Sequence, residues 1–155
     1  MEGIAYVFLR KDGAPLPPGC AGHVGWGFTF AKSPGDLDAF CGSTENFSGS
    51  PLILPGQDIG YWTMPVDREA HMYFQFKQRN YHAVKRAKVQ VASPHQAMHE
   101  AKVVATGGYT AIGNNCLDHT CRILKAYGVK DLPWPLTHPS PNDWFAQFNG
   151  AYLDL

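Results

Sequence analysis

Residues 113–128 read GNNCLDHTCRILKAYG, and the architecture turns on this stretch. Cys116, Thr120, Ile123, Leu124 and Tyr127 line one side of a helix at 3.6-residue spacing, and Gly128 is suited to the left-handed position that ends one. The Gly113-Asn114-Asn115 lead-in places Cys116 in the first turn. A thiol there feels the positive end of the helix dipole and unpaired backbone N–H groups, which stabilise the thiolate and lower its pKa. Cys116 is therefore the candidate nucleophile. The same N–H groups, with the side-chain amide of Asn114 or Asn115 nearby, are candidates to bind the oxyanion formed when a thiolate attacks an acyl carbon.

A nucleophilic thiol needs an imidazole to take and return a proton, and the chain has seven histidines. Only His23 sits on a glycine-flanked strand. In Gly22–Phe30, GHVGWGFTF, the residues His23, Gly25, Gly27 and Thr29 share one face, and Val24, Trp26, Phe28 and Phe30 share the other. The second face is expected to be core and His23 to point away from it, with the glycines opening an access slot. His119 lies within a turn of Cys116, where it either tunes the thiol or faces solvent. His95 and His99, four apart, have no evident third ligand and read as solvated, so no metal is expected.

Around these two segments the expected elements are a strand over Ile4–Lys11, a turn-rich loop from Lys11 to Gly19, a turn over Lys32–Asp38 and a strand over Ala39–Glu45 that pairs with the His23 strand as a hairpin. Asn46–Asp58 reads as a surface loop and Tyr61–Val66 as extended. A helical stretch follows from Asp67, with Met72, Phe76 and Arg79 at helical spacing. Tyr81–Val91 alternates as a half-exposed strand whose Lys and Arg side chains guard a sheet edge. Ser93 as N-cap and Pro94 at the first position open a helix that ends at Gly107-Gly108. The proline-rich tail around Trp134 and Trp144 is expected to wrap the domain without helix.

At 155 residues the chain is expected to form one domain spanning 1–155, long enough to bury roughly 68–70% of its unfolded surface. Thirteen basic against thirteen acidic side chains leave no charge footprint for nucleic acid or an acidic membrane. The N-terminus has neither the apolar run nor the cleavage site of a secretory signal, so a cytoplasmic location with no membrane span is expected. With 45% hydrophobic residues the fold needs no disulfide staples, and Cys20, Cys41, Cys116 and Cys121 are expected as free thiols. Cys20, Cys41 and Cys121 read as filler.

The Asn-Cys helix of residues 113–128 resembles that of the circularly permuted papain-like families, which include NlpC-type hydrolases and lecithin retinol acyltransferase-like proteins. The order is a second match, since the histidine strand GHVGWGF precedes the cysteine helix by about ninety residues. The resemblance covers these two motifs and leaves residues 48–106 unmatched. It implies an α+β domain with an antiparallel sheet packed against the cysteine helix, Cys116 as nucleophile and His23 as base. It also implies a polar third residue on the next strand, where Glu45 is preferred and Asn46 is the alternative; Asn115 and His119 stand as further third-residue or oxyanion alternatives. The implied activity is a cysteine peptidase or amidase acting on a peptide or small amide through an acyl-enzyme, without a cofactor. The acyltransferase pattern places one residue between cysteine and histidine, whereas Leu117 and Asp118 separate Cys116 from His119 here; that spacing, and the lack of a hydrophobic anchor, rank lipid or thioester acyl transfer second. A binding or regulatory domain in which Cys116 is only core is the non-enzymatic alternative.

Overall fold

The computed structural model describes every residue except 14, 17–18 and 31–37, together with the backbone but not the side chains of 15–16 and 19–20. Its elements, in chain order, are β1 (Gly3–Arg10), β2 (Pro15–Leu16), β3 (Gly19–Cys20), β4 (His23–Phe30), β5 (Asp38–Thr44), β6 (Leu52–Ile53), β7 (Tyr61–Val66), α1 (Glu69–Lys77), β8 (Ala83–Val89), α2 (Pro94–Thr106), β9 (Tyr109–Thr110), α3 (Cys116–Tyr127), α4 (Pro141–Gln147) and β10 (Ala151–Asp154). Six strands form one antiparallel sheet in the order β10-β8-β1-β4-β5-β7. The α+β class and the antiparallel sheet with the cysteine helix against it are as expected. Most of the turn read at Lys32–Asp38, part of the Lys11–Gly19 loop and the Cys20 thiol lie outside the described residues.

The sheet is covered on both faces, which is why β1 reads as a nearly continuous apolar run. Ala5, Val7 and Leu9 join Val24, Trp26 and Phe28 of β4 in a core closed by α2, α3 and α4. Tyr6 and Phe8 point the other way, into a second core with Met72 and Phe76 of α1 and with Tyr81. Each large side chain buried in this way contributes roughly 1.5–3 kcal/mol.

This second core corrects the reading of the histidine face. A Cβ on Gly25 would lie 2.5 Å from Phe76 Cε1, and one on Gly27 would lie 2.8 Å from Met72 Sδ. The glycines thus admit side chains of α1 rather than an access slot, and His23, at the first position of β4, is buried.

Two expectations for the second half also change. The strand read at Tyr81–Val91 is β8, and it is not an edge, because β10 pairs with its outer side. Its cations are used elsewhere: Lys85 Nζ donates to the carbonyls of Phe145, Ala146 and Phe148 at the end of α4, and Arg86 pairs with Glu69. The proline-rich tail does form a helix, because Pro141 occupies a first-turn position of α4, where no N–H is needed, and the Ser140 side chain accepts from Asp143 N–H. Among the other expected elements, β6 interrupts the 46–58 loop and pairs with β9, α1 ends before Arg79, and Ser93 stands at the N-cap of α2 without a side-chain capping bond. Cys41, Cys116 and Cys121 are free thiols. Among the described residues no helix is long and apolar enough to cross a membrane.

Candidate active site

The N-terminus of α3 is built by a capping box. Asn115 Oδ1 accepts from the N–H groups of Leu117 and Asp118 at 3.0 and 3.1 Å, and Asp118 Oδ2 accepts from Asn115 N–H at 3.1 Å. Gly113, with φ 85°, makes the turn into it. Cys116 is the first helical residue, and among the described residues its N–H has no partner. The helix thus presents a thiol and a vacant backbone donor at the same point.

Opposite Cys116, the end of β4 carries His23 and the end of β5 leads into Glu45. His23 Nε2 lies 2.9 Å from Ser43 Oγ and 3.3 Å from Glu45 Oε2. Ser43 Oγ donates to the Val24 carbonyl at 3.3 Å, and the Tyr81 hydroxyl shares its one hydrogen between Ser43 Oγ at 2.9 Å and Glu45 Oε1 at 3.0 Å. With its proton so committed, Ser43 accepts from His23, so the imidazole carries its hydrogen on Nε2. Nδ1 is left for the thiol.

The Glu45 carboxylate is closely held. Oε2 accepts from Arg10 at 2.9 Å, and Oε1 accepts from Trp62 Nε1 at 2.9 Å and from the Tyr81 hydroxyl at 3.0 Å. Its side chain is only 3% exposed. Arg79 stacks over Trp62 at 3.8 Å and accepts at its carbonyl from Arg10, which ties these partners together.

Titration follows from this geometry. Burial alone would lower the His23 pKa, but the Cys116 thiolate and then Glu45 outweigh it and raise the imidazole to about 9. Burial would raise Cys116, yet the His23 charge and contact, with the Val24 N–H, bring the thiol below its ordinary value. Burial would likewise raise Glu45, but His23, Trp62 and Arg10 hold it down at about 2. The three groups therefore favour a thiolate–imidazolium–carboxylate series. The Cys116 thiol and the His23 ring are in contact.

The alternative residues are placed differently. Asn46 stands at φ 46°; its amide donates to the Ser50 carbonyl and accepts from Ser48 Oγ, so it shapes the cleft wall and is not the partner of His23. The Asn115 side-chain oxygen is used by the cap, and one of its two amide hydrogens is donated to the Ala111 carbonyl. Asn114 donates to the Gly107 and Gly108 carbonyls, and its oxygen accepts from His119 Nε2 at 2.8 Å. His119 Nδ1 then accepts from Thr44 Oγ1 at 2.8 Å. Burial, followed by the Arg122 charge, lowers His119 to about 4, so it is a neutral strut between β5 and the α3 lead-in. It faces neither solvent nor the thiol.

Sequence reasoning passed over Ser43, Tyr81, Trp62 and Arg10. Ser43 was within reach, since it shares the strand parity of Glu45. Arg10 lies opposite His23 in the β1–β4 register, which becomes visible only once the strands are paired.

A cleft of about 470 Å³ opens over Cys116, with His23, Glu45, Arg10, Tyr109 and Phe47 in its walls. A larger cleft of about 750 Å³ lies behind α3, against residues 129–135, and reaches none of the three. Chemically, the smaller cleft can hold a carbonyl beside a thiolate, a proton carrier and a vacant backbone donor. No protein-family model, curated protein or solved structure matches this chain.

Proposed function

We propose that the chain is a thiol hydrolase of amide bonds with a permuted papain-like arrangement, in which Cys116 attacks, His23 carries the proton and Glu45 orients the imidazole. The observation that carries this reading is the position of His23, whose Nε2 is engaged by Ser43 and Glu45 while its ring lines the same cleft as Cys116 at the head of α3.

In this mechanism the Cys116 thiolate forms a bond to the carbonyl carbon, and the carbonyl electron pair moves onto oxygen, where the Cys116 N–H stabilises it. The tetrahedral species collapses as His23 Nδ1 delivers its proton to the departing amine. Water, deprotonated by the same nitrogen, then attacks the thioester, and the acid leaves with the thiol restored. Glu45 holds the ring and offsets the imidazolium charge throughout.

The test is incubation of the full chain with a mixed peptide pool, with new amino termini counted by mass spectrometry. Wild type is expected to generate them, and Cys116→Ala and His23→Ala are expected not to. Cleavage that persists in Cys116→Ala contradicts the reading.

A further inference from the structure

The two most exposed large hydrophobic side chains among the described residues are Ile112 at 86% and Phe47 at 85%. Phe47 lines the Cys116 cleft, and Ile112 directly follows Ala111, which lines it too. Leu52 and Leu54, likewise exposed, continue the loop on which Phe47 stands.

The two loops are joined and firm. β6 pairs with β9 through Leu52↔Thr110 and Ile53↔Tyr109, and Ala111 N–H donates to the Pro51 carbonyl. Asn46 braces its turn through Ser48 and Ser50, and Thr110 Oγ1 donates to the Ile112 carbonyl. The apolar side chains are thus held outward by ordered backbone, at a standing cost in exposed surface.

The same loops carry no charge. Residues 46–57 and 103–117 contain no Asp, Glu, Lys, Arg or His. The charged side chains in the cleft are already paired: Arg10 and His23 with Glu45 at 2.9 and 3.3 Å, and Cys116 with His23. A charged group on a ligand finds no free partner here, and burying it unpaired is costly.

We propose that the Cys116 cleft selects peptides whose side chains around the scissile amide are uncharged and apolar, seated on Phe47 and Ile112. The inference rests on reading Cys116 as the attacking thiol. A peptide is favoured over a lipid surface because neither loop offers a lysine or arginine to a headgroup phosphate, while Ser48, Gly49 and Ser50 give the cleft a short polar wall suited to peptide groups.

The experiment uses the full-length Cys116→Ala variant, which cannot turn over, on a randomised hexapeptide array, so that binding is read apart from cleavage. Bound sequences are expected to carry adjacent apolar residues and to exclude Asp, Glu, Lys and Arg. Adding Phe47→Ser or Ile112→Ser is expected to weaken binding about tenfold each, with the thermal midpoint unchanged because neither side chain is buried. Selection of charged peptides, absence of any bound peptide, or tighter binding to phosphatidylcholine vesicles than to any peptide overturns the proposal. Apolar selection without cleavage by wild type overturns only the hydrolase reading.

Discussion

His23 Nε2 lies 3.3 Å from Glu45 Oε2, and the same oxygen accepts from Arg10 at 2.9 Å. The carboxylate is thus shared between the imidazole and a guanidinium, with Trp62 and Tyr81 satisfying its other oxygen. Removal of its charge is felt by both. Glu45→Gln is expected to lower kcat/KM on a cleaved peptide by about 100-fold. Because the folded carboxyl is held at about 2 against a reference of 4.5, its contribution to stability is complete above pH 4.5 and is lost as pH falls through about 2. That contribution is about 3 kcal/mol. Urea midpoints measured between those pH values should fall steeply for wild type and more gently for Glu45→Gln; equal slopes contradict the assignment.

The pH dependence of kcat/KM should be bell-shaped. Activity needs Cys116 deprotonated and His23 protonated, so the alkaline limb falls near pH 9, where the imidazolium is lost. The acid limb lies below the ordinary thiol range because Cys116 is lowered. Both limbs belong to the coupled pair. A rate that keeps climbing above pH 9 means the pair is not the working unit.

His119→Leu leaves Thr44 Oγ1 and Asn114 Oδ1 without their shared partner, which is expected to cost about 2–3 kcal/mol in chemical denaturation. The wild-type imidazole stays neutral down to about 4 while its unfolded counterpart protonates near 6.5. The unfolded state therefore binds the extra proton, and stability falls as pH drops from 6.5 toward 4. The variant should lack that part of the slope, and retention of it would show that His119 is not its source.

The legible parts of the chain were those governed by local chemistry. The α3 helix was fixed by its periodicity, Asn115 and Gly128, and the β4 strand by its alternation. Long-range pairing was hidden. Nothing near Lys85 signals that a strand at 151–154 covers β8 or that the end of α4 needs a cation. Alternation alone makes the β4 glycines look like open space, but the helix that fills it comes from residues 69–77. His119 was ambiguous because its partners, Thr44 and Asn114, converge on it from two separate segments.

Asn115→Ala removes the oxygen that accepts from Leu117 and Asp118 N–H. The expected loss is about 1 kcal/mol of stability, together with a rise in the Cys116 pKa as the first turn frays. Denaturant titration and thiol titration check the two effects. A stable variant with an unchanged thiol would show that the cap does not position Cys116.

The most direct test of the central claim is the rate of iodoacetamide alkylation of each cysteine against pH, read by mass spectrometry in wild type and His23→Ala. Burial pushes Cys41 and Cys121 up to about 12, so they should react slowly throughout. Cys116 should react well below the ordinary thiol value of about 8.5 in wild type, and His23→Ala should move its midpoint up by at least about one pH unit. A Cys116 that titrates alike in both proteins, or no faster than Cys41, contradicts the thiolate–imidazolium pair.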